Sequence, residues 1–115
     1  MCLSLVGSEM CIRDSHYMIA FFGGDSVPCA KFDVPGSQQL SNYAVKALEN
    51  HKACLLANHG IIVTGSGLDE ALFLTQELEV LCKQITIAKI NGTPKLVDKK
   101  KMKMIIEAVK TYGKQ

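Results

Sequence analysis

An α/β layered fold is predicted for this chain, and three observations predict it. Short apolar runs alternate along the sequence with longer stretches whose apolar residues recur at helical period. Two of the short runs are separated only by Asn58-His59-Gly60, which points to antiparallel neighbours. Neither GxGxxG nor GxxxxGK[ST] occurs, so a doubly wound nucleotide-binding sheet is not indicated. The 115 residues suit one domain, and 48% hydrophobic with 21% charged residues is the balance of a chain that folds around a core.

His16–Phe22, HYMIAFF, closed by Gly23-Gly24-Asp25-Ser26, reads as a buried strand ending in a turn. Pro28 removes a backbone donor, so Cys29–Val34 is expected as an edge strand before Pro35-Gly36 turns the chain. From the N-cap Ser37, the spacing of Leu40, Ala44, Ala47 and Leu48 predicts an amphipathic helix ending near Asn50. Ala53–Ala57 and Ile61–Thr64 come next as consecutive strands with a sharp turn between them.

Ser66 and Asp69 resemble a capping box for a long helix. Its stripe is Leu68, Ala71, Leu72, Thr75, Leu78, Leu81, Cys82, Ile85 and Ala88, and Asn91-Gly92 and Pro94 end it. Asp98 caps a last helix with Met102, Ile105, Ile106 and Val109 on one face, ending near Gly113. Lys99, Lys100, Lys101 and Lys103 at its start read as a solvated face.

The formal net charge of +2 argues for neither a nucleic-acid nor an anionic-membrane partner. No apolar run approaches the roughly 20 residues that span a bilayer, and no signal-peptide pattern precedes the fold. Five scattered cysteines, none in a CxxC pair, indicate the reducing cytoplasm and neither a disulfide framework nor a thiolate zinc site. Cys29, Cys54 and Cys82 are expected as inert thiols in apolar surroundings.

Met1–Ser15, MCLSLVGSEMCIRDS, shows no strand alternation and no helical stripe that continues past His16. Leu5–Asp14 resembles the translation of a transposase-type sequencing adapter. Residues 1–15 are therefore expected to be a non-native segment, with the natural domain occupying 16–115 and its upstream part missing.

Few side chains offer chemistry. Of the three histidines, His51 lies at a helix C-terminus, where the dipole favours an imidazolium and a structural role. His59 sits in a strand-to-strand turn, from which an imidazole can project; residue type and position alone favour a hydrogen-bonded turn residue over a ligand. Tyr17 can serve as a general acid if aimed at a developing alkoxide, although most such tyrosines only pack. No GxSxG motif or paired-carboxylate arrangement is legible.

The runs HYMIA (16–20), GGDSVPCA (23–30), GSQQLSNYAVKAL (36–48), KACLLANHGII (52–62) and KTYGKQ (110–115) together resemble the second half of the class II aldolase/adducin family. The resemblance covers essentially all of 16–115, and within the family HYM points to the branch acting on L-fuculose 1-phosphate. It implies a three-layer α-β-α sandwich with a mostly antiparallel sheet and a homotetramer with active sites between subunits. It also implies a zinc-dependent lyase that cleaves L-fuculose 1-phosphate to dihydroxyacetone phosphate and L-lactaldehyde.

In such an enzyme the divalent ion polarises substrate oxygens and stabilises an enediolate without a Schiff-base lysine. His59 in NHG matches the family's third metal-binding histidine. Tyr17 in HYM matches the tyrosine that a neighbouring subunit contributes to protonate or orient the aldehyde oxygen. The family's other two metal histidines and its acid/base glutamate lie upstream of HYM, where this chain has 1–15, so the chain as written is expected to be inactive. The stretch KFDVPGSQQL departs from the family's usual version, which puts the substrate in doubt. The alternatives are a pentulose-phosphate epimerase or dehydratase, and a non-enzymatic adducin-like interaction domain.

Overall fold

The computed structural model describes residues 12–13 and 15–112. In chain order these form β1 (Ile12–Arg13), a 3-10 helix (Tyr17–Phe22), β2 (Ser26–Val27), β3 (Cys29–Ala30), α1 (Gln38–Leu48), β4 (Ala53–Leu56), β5 (Gly60–Val63), α2 (Leu68–Asn91) and α3 (Lys99–Thr111).

The central sheet has the order β3-β4-β5. β4 and β5 form the expected antiparallel hairpin, with Ala53 opposite Val63 and Leu56 opposite Gly60. β3 runs parallel to β4 because α1 lies between them in the chain and returns it to the same end of the sheet. The period-2 rule then builds three layers. Cys54 and Leu56 face one side of the sheet, where Ala30 of β3 and Ala44 of α1 meet them. Ala53 and Leu55 face the other, where Leu74, Leu78, Leu81, Cys82 and Ile85 of α2 pack with Ile19, Ala20, Phe22 and Met102. The α-β-α sandwich is thus present, with antiparallel pairing in the hairpin and between β1 and β2.

His16–Phe22 is not a strand. The His16 Nδ1 accepts from the Met18 N–H at 3.2 Å and caps the 3-10 turn, which Gly23 ends in the left-handed region at φ 93°. An apolar run without alternation does not discriminate between the two. The strand pairing with β2 comes instead from Ile12–Arg13, within the segment expected to be non-native, and Ile12 is buried in the main core. The second predicted strand shrinks to Cys29–Ala30, leaving Lys31–Val34 without regular structure and Phe32 and Val34 exposed.

α1 starts as expected, with the Ser37 Oγ accepting from Leu40 N–H at 3.1 Å, and Asp98 caps α3 through Lys101 N–H at 3.2 Å. α2 departs from expectation in both its cap and its stripe. Gly67 is its N-cap and makes no side-chain bond; Glu70, not Asp69, reaches back to the Ser66 N–H at 2.8 Å and Oγ at 2.6 Å. Leu68 and Leu72 of the predicted stripe are exposed, whereas Leu74 is buried. Cys29 and Cys54 are reduced thiols, but Cys82 is disulfide-bonded, contrary to the expectation for that residue. No helix among the described residues is long and apolar enough to cross a membrane.

Candidate functional site

Three residues, Ala57, Asn58 and His59, join β4 to β5. Ala57 is buried and donates its N–H to the Ala30 carbonyl on β3 at 3.1 Å, which fixes the near side of the turn to the sheet. Asn58 then takes the left-handed conformation at φ 56°, which Asn tolerates better than other side chains because it can bond locally. The His59 N–H closes the loop on the Leu56 carbonyl at 3.0 Å. The result is an exposed imidazole on a short turn rooted in a buried strand, a placement suited to a ligand or proton carrier. His51 instead donates from Nδ1 to the Glu49 carbonyl at 2.7 Å, a local structural bond consistent with the role expected of it.

Tyr17 opens the 3-10 helix, 53% exposed, its ring stacked on His16 at 4.8 Å between centroids. The helix is held at its other end. The Lys52 N–H donates to the Phe22 carbonyl at 3.0 Å, while the Lys52 carbonyl accepts from both the N–H and the hydroxyl of Thr64. Phe21 meets Phe73 of α2 and Tyr112 beyond α3 edge-on, at 6.0 and 5.9 Å.

Between the 3-10 helix, α2 and α3 lies an open apolar cleft of about 800 Å³, walled by Phe21, Phe73, Ile106, Val109 and Tyr112. Lys52, Ser66 and Glu70 form its polar end. An adjoining hollow of about 610 Å³ is bordered by Tyr17 and Met18. His59 lines neither space, so among the described residues neither hollow brings Tyr17 and His59 together.

One polar cluster among the described residues is not legible in the sequence. Glu70 accepts from Lys52 Nζ at 2.7 Å and from the N–H and hydroxyl of Ser66, and the Lys52 bond foremost, then the two from Ser66, hold its carboxyl down at about 2. Only the i, i+4 spacing of Ser66 and Glu70 could have indicated part of it; Lys52 is distant in sequence. On the sheet, burial and then the nearby Cys29 push the Cys54 thiol up to about 11, so it is neutral and inert, as expected.

A family profile described as the Class II Aldolase and Adducin N-terminal domain matches residues 1–86. The chain belongs to the class II aldolase/adducin family. It is 42% identical over 100 residues to the L-fuculose phosphate aldolase of Escherichia coli K12, a match spanning 85% of this chain and 46% of that protein. To the 5-methylthioribulose-1-phosphate/5-deoxyribulose-1-phosphate aldolase of Rhodospirillum rubrum it is 38% identical over 98 residues, covering 85% and 44%. A solved structure of L-fuculose 1-phosphate aldolase superposes with a TM-score of 0.90 at 33% identity, covering 95% of this chain and 51% of that one. The chain thus spans about half the length of these class II aldolases.

Class II aldolases are generally metal-dependent, and a catalytic zinc takes three protein ligands with one position open. Among the described residues no three His, Cys, Asp or Glu side chains come together to hold an ion. A single exposed imidazole such as His59 falls short of that number, so the described residues do not fit a metal by themselves.

Proposed function

We propose that this chain carries the C-terminal half of a metal-dependent sugar-phosphate aldolase, a lyase acting on L-fuculose 1-phosphate to give dihydroxyacetone phosphate and L-lactaldehyde. The observation that carries the reading is the β4–β5 turn. There the fold presents His59 outward from a buried strand, at the position matching a family metal ligand. His59 is one of three zinc ligands in the parent enzyme, and the other two and the acid/base glutamate belong to the upstream half. Tyr17, exposed and bordering a hollow that His59 does not line, serves the site of a neighbouring subunit in a homotetramer, orienting or protonating the aldehyde oxygen.

Residues 1–15 are not part of that parent, although Ile12 is buried in the main core. The 115-residue chain alone is inactive. The parent works in the cytoplasm, with no nucleic-acid or membrane partner. Identity to the methylthioribulose-phosphate aldolase supports a second reading, the same lyase chemistry on a 5-substituted pentulose 1-phosphate.

Resequencing the source locus across the codons for 1–16 and expressing the resulting open reading frame tests this. The expected product binds about one zinc per chain and cleaves L-fuculose 1-phosphate faster than 5-deoxyribulose 1-phosphate, and His59→Ala removes both metal and activity. An intact upstream frame whose product keeps its metal and rate after His59→Ala refutes the site.

A further inference from the structure

His16 has no part in the proposed reaction, yet its imidazole is engaged on two sides at once. At its edge, Nδ1 accepts from the Met18 N–H at 3.2 Å. A backbone N–H can only donate, so Nδ1 is the bare nitrogen and the ring proton sits on Nε2. Across its face the ring stacks on Tyr17, with centroids 4.8 Å and planes 26° apart. The His16 carbonyl also accepts from the Ile19 N–H at 3.2 Å, so this residue makes two of the bonds that open the 3-10 helix. Further along, Ile19, Ala20 and Phe22 are all buried and root the helix in the main core. Tyr17 has less to hold it. In a 3-10 helix the residue three positions on lies on the same side, and here that is Ala20, too short to brace a phenol. Among the described residues the stack on His16 is the one aromatic contact of the Tyr17 ring, which is half exposed.

We infer that His16 is a positioning residue for Tyr17: the Met18 N–H fixes the edge of the imidazole, and the face of the imidazole holds the phenol in one rotamer. The inference rests on the reading of Tyr17 as the group that meets the aldehyde oxygen, and extends that reading to the residue before it. The two engagements can be separated. His16→Asn keeps a side-chain acceptor for the start of the helix and loses the face. His16→Phe keeps a face and loses the acceptor that orients it. Capping alone needs only the first and packing alone only the second, whereas placing the phenol needs both. A side chain released from one staggered well spreads over about three, so the correctly placed fraction falls about threefold.

NMR on the isotope-labelled 115-residue chain reads the placement directly. The expected result is a bare Nδ1 on His16 and χ1 couplings of Tyr17 that report one rotamer. In His16→Asn the Met18 amide should stay protected from exchange while the Tyr17 couplings average over the staggered wells. In His16→Phe the Met18 amide should exchange at least tenfold faster, and the couplings should average as well. Tyr17 keeping a single rotamer in either variant overturns the inference. The second readout is kinetic, in the enzyme recovered with its upstream half. There His16→Asn should lower kcat about threefold with KM and zinc content unchanged, and should add nothing in a Tyr17→Phe background. An equal further loss in that background overturns the inference, because His16 then acts independently of Tyr17. A freed Tyr17 with kcat unchanged upholds the positioning and refutes the part given to Tyr17 in the proposed reaction.

Discussion

Replacing Glu70 by Ala removes three interactions at once: the Lys52 ammonium at 2.7 Å, the Ser66 N–H at 2.8 Å and the Ser66 hydroxyl at 2.6 Å. The Lys52–Glu70 pair is partly exposed, 47% and 30%, so it contributes under about 1 kcal/mol. The bond to the Ser66 N–H is a capping interaction at the start of α2 and is worth about 1 kcal/mol. The hydroxyl bond adds about 0.5 kcal/mol. Together they give a destabilisation of about 2 kcal/mol, or a fall of about 10 °C in Tm for a chain of this size. The carboxyl is held down at about 2 in the folded state against roughly 4.3 in the unfolded one. Its contribution is therefore complete above about pH 4.5 and is lost as the pH falls toward 2. Urea unfolding followed by circular dichroism at pH 7, 4 and 2 measures this. The gap between the parent chain and Glu70→Ala should be widest at pH 7 and narrow with acid. A gap below about 0.5 kcal/mol, or one that stays constant across the range, refutes the role assigned to the cluster.

Leu78→Ala, at a fully buried position between α2 and the sheet, should cost about 2–5 kcal/mol in the same assay. Asn58→Ala should cost about 1 kcal/mol because the turn needs a positive φ, and Asn58→Gly should restore it; equal stability of all three would show that the turn is not held there. Cys54 should resist iodoacetamide at pH 8 in the folded chain and react once urea is added, read by mass spectrometry. Because its folded thiol titrates near 11 against an ordinary 9.0, stability should also decline as the pH rises through that interval.

Most of the helices and the β4–β5 hairpin are legible in the sequence because their signals are local. Ser37 and Asp98 sit where a cap must, and the solid apolar run ACLL is explained by burial on both faces of one sheet. HYMIAFF reads as a strand only because a solid apolar run carries no period, and what settles it is the side chain of His16 turning back on Met18. The predicted stripe on α2 is too wide because that helix has apolar residues on both sides, and periodicity alone does not say which side meets the sheet. Of the site, the turn around His59 is legible from Asn58-His59-Gly60. The separation of Tyr17 from it and the Lys52–Ser66–Glu70 cluster depend on tertiary placement of distant segments.

The peptide groups of Lys52 join three parts of the chain, one hydrogen bond reaching back to Phe22 and two coming from Thr64. The Thr64 contacts close a loop of about a dozen residues, a microsecond event, whereas the Phe22 contact spans about thirty and the packing of α3 on the 3-10 helix spans most of the chain. Folding should accordingly start at the hairpin and finish when the two ends meet. Thr64→Ala should slow refolding, while substitutions between α3 and the 3-10 helix should leave that rate alone and quicken unfolding. The part of the molecule that seats Tyr17 should then form last, after the turn bearing His59 is built.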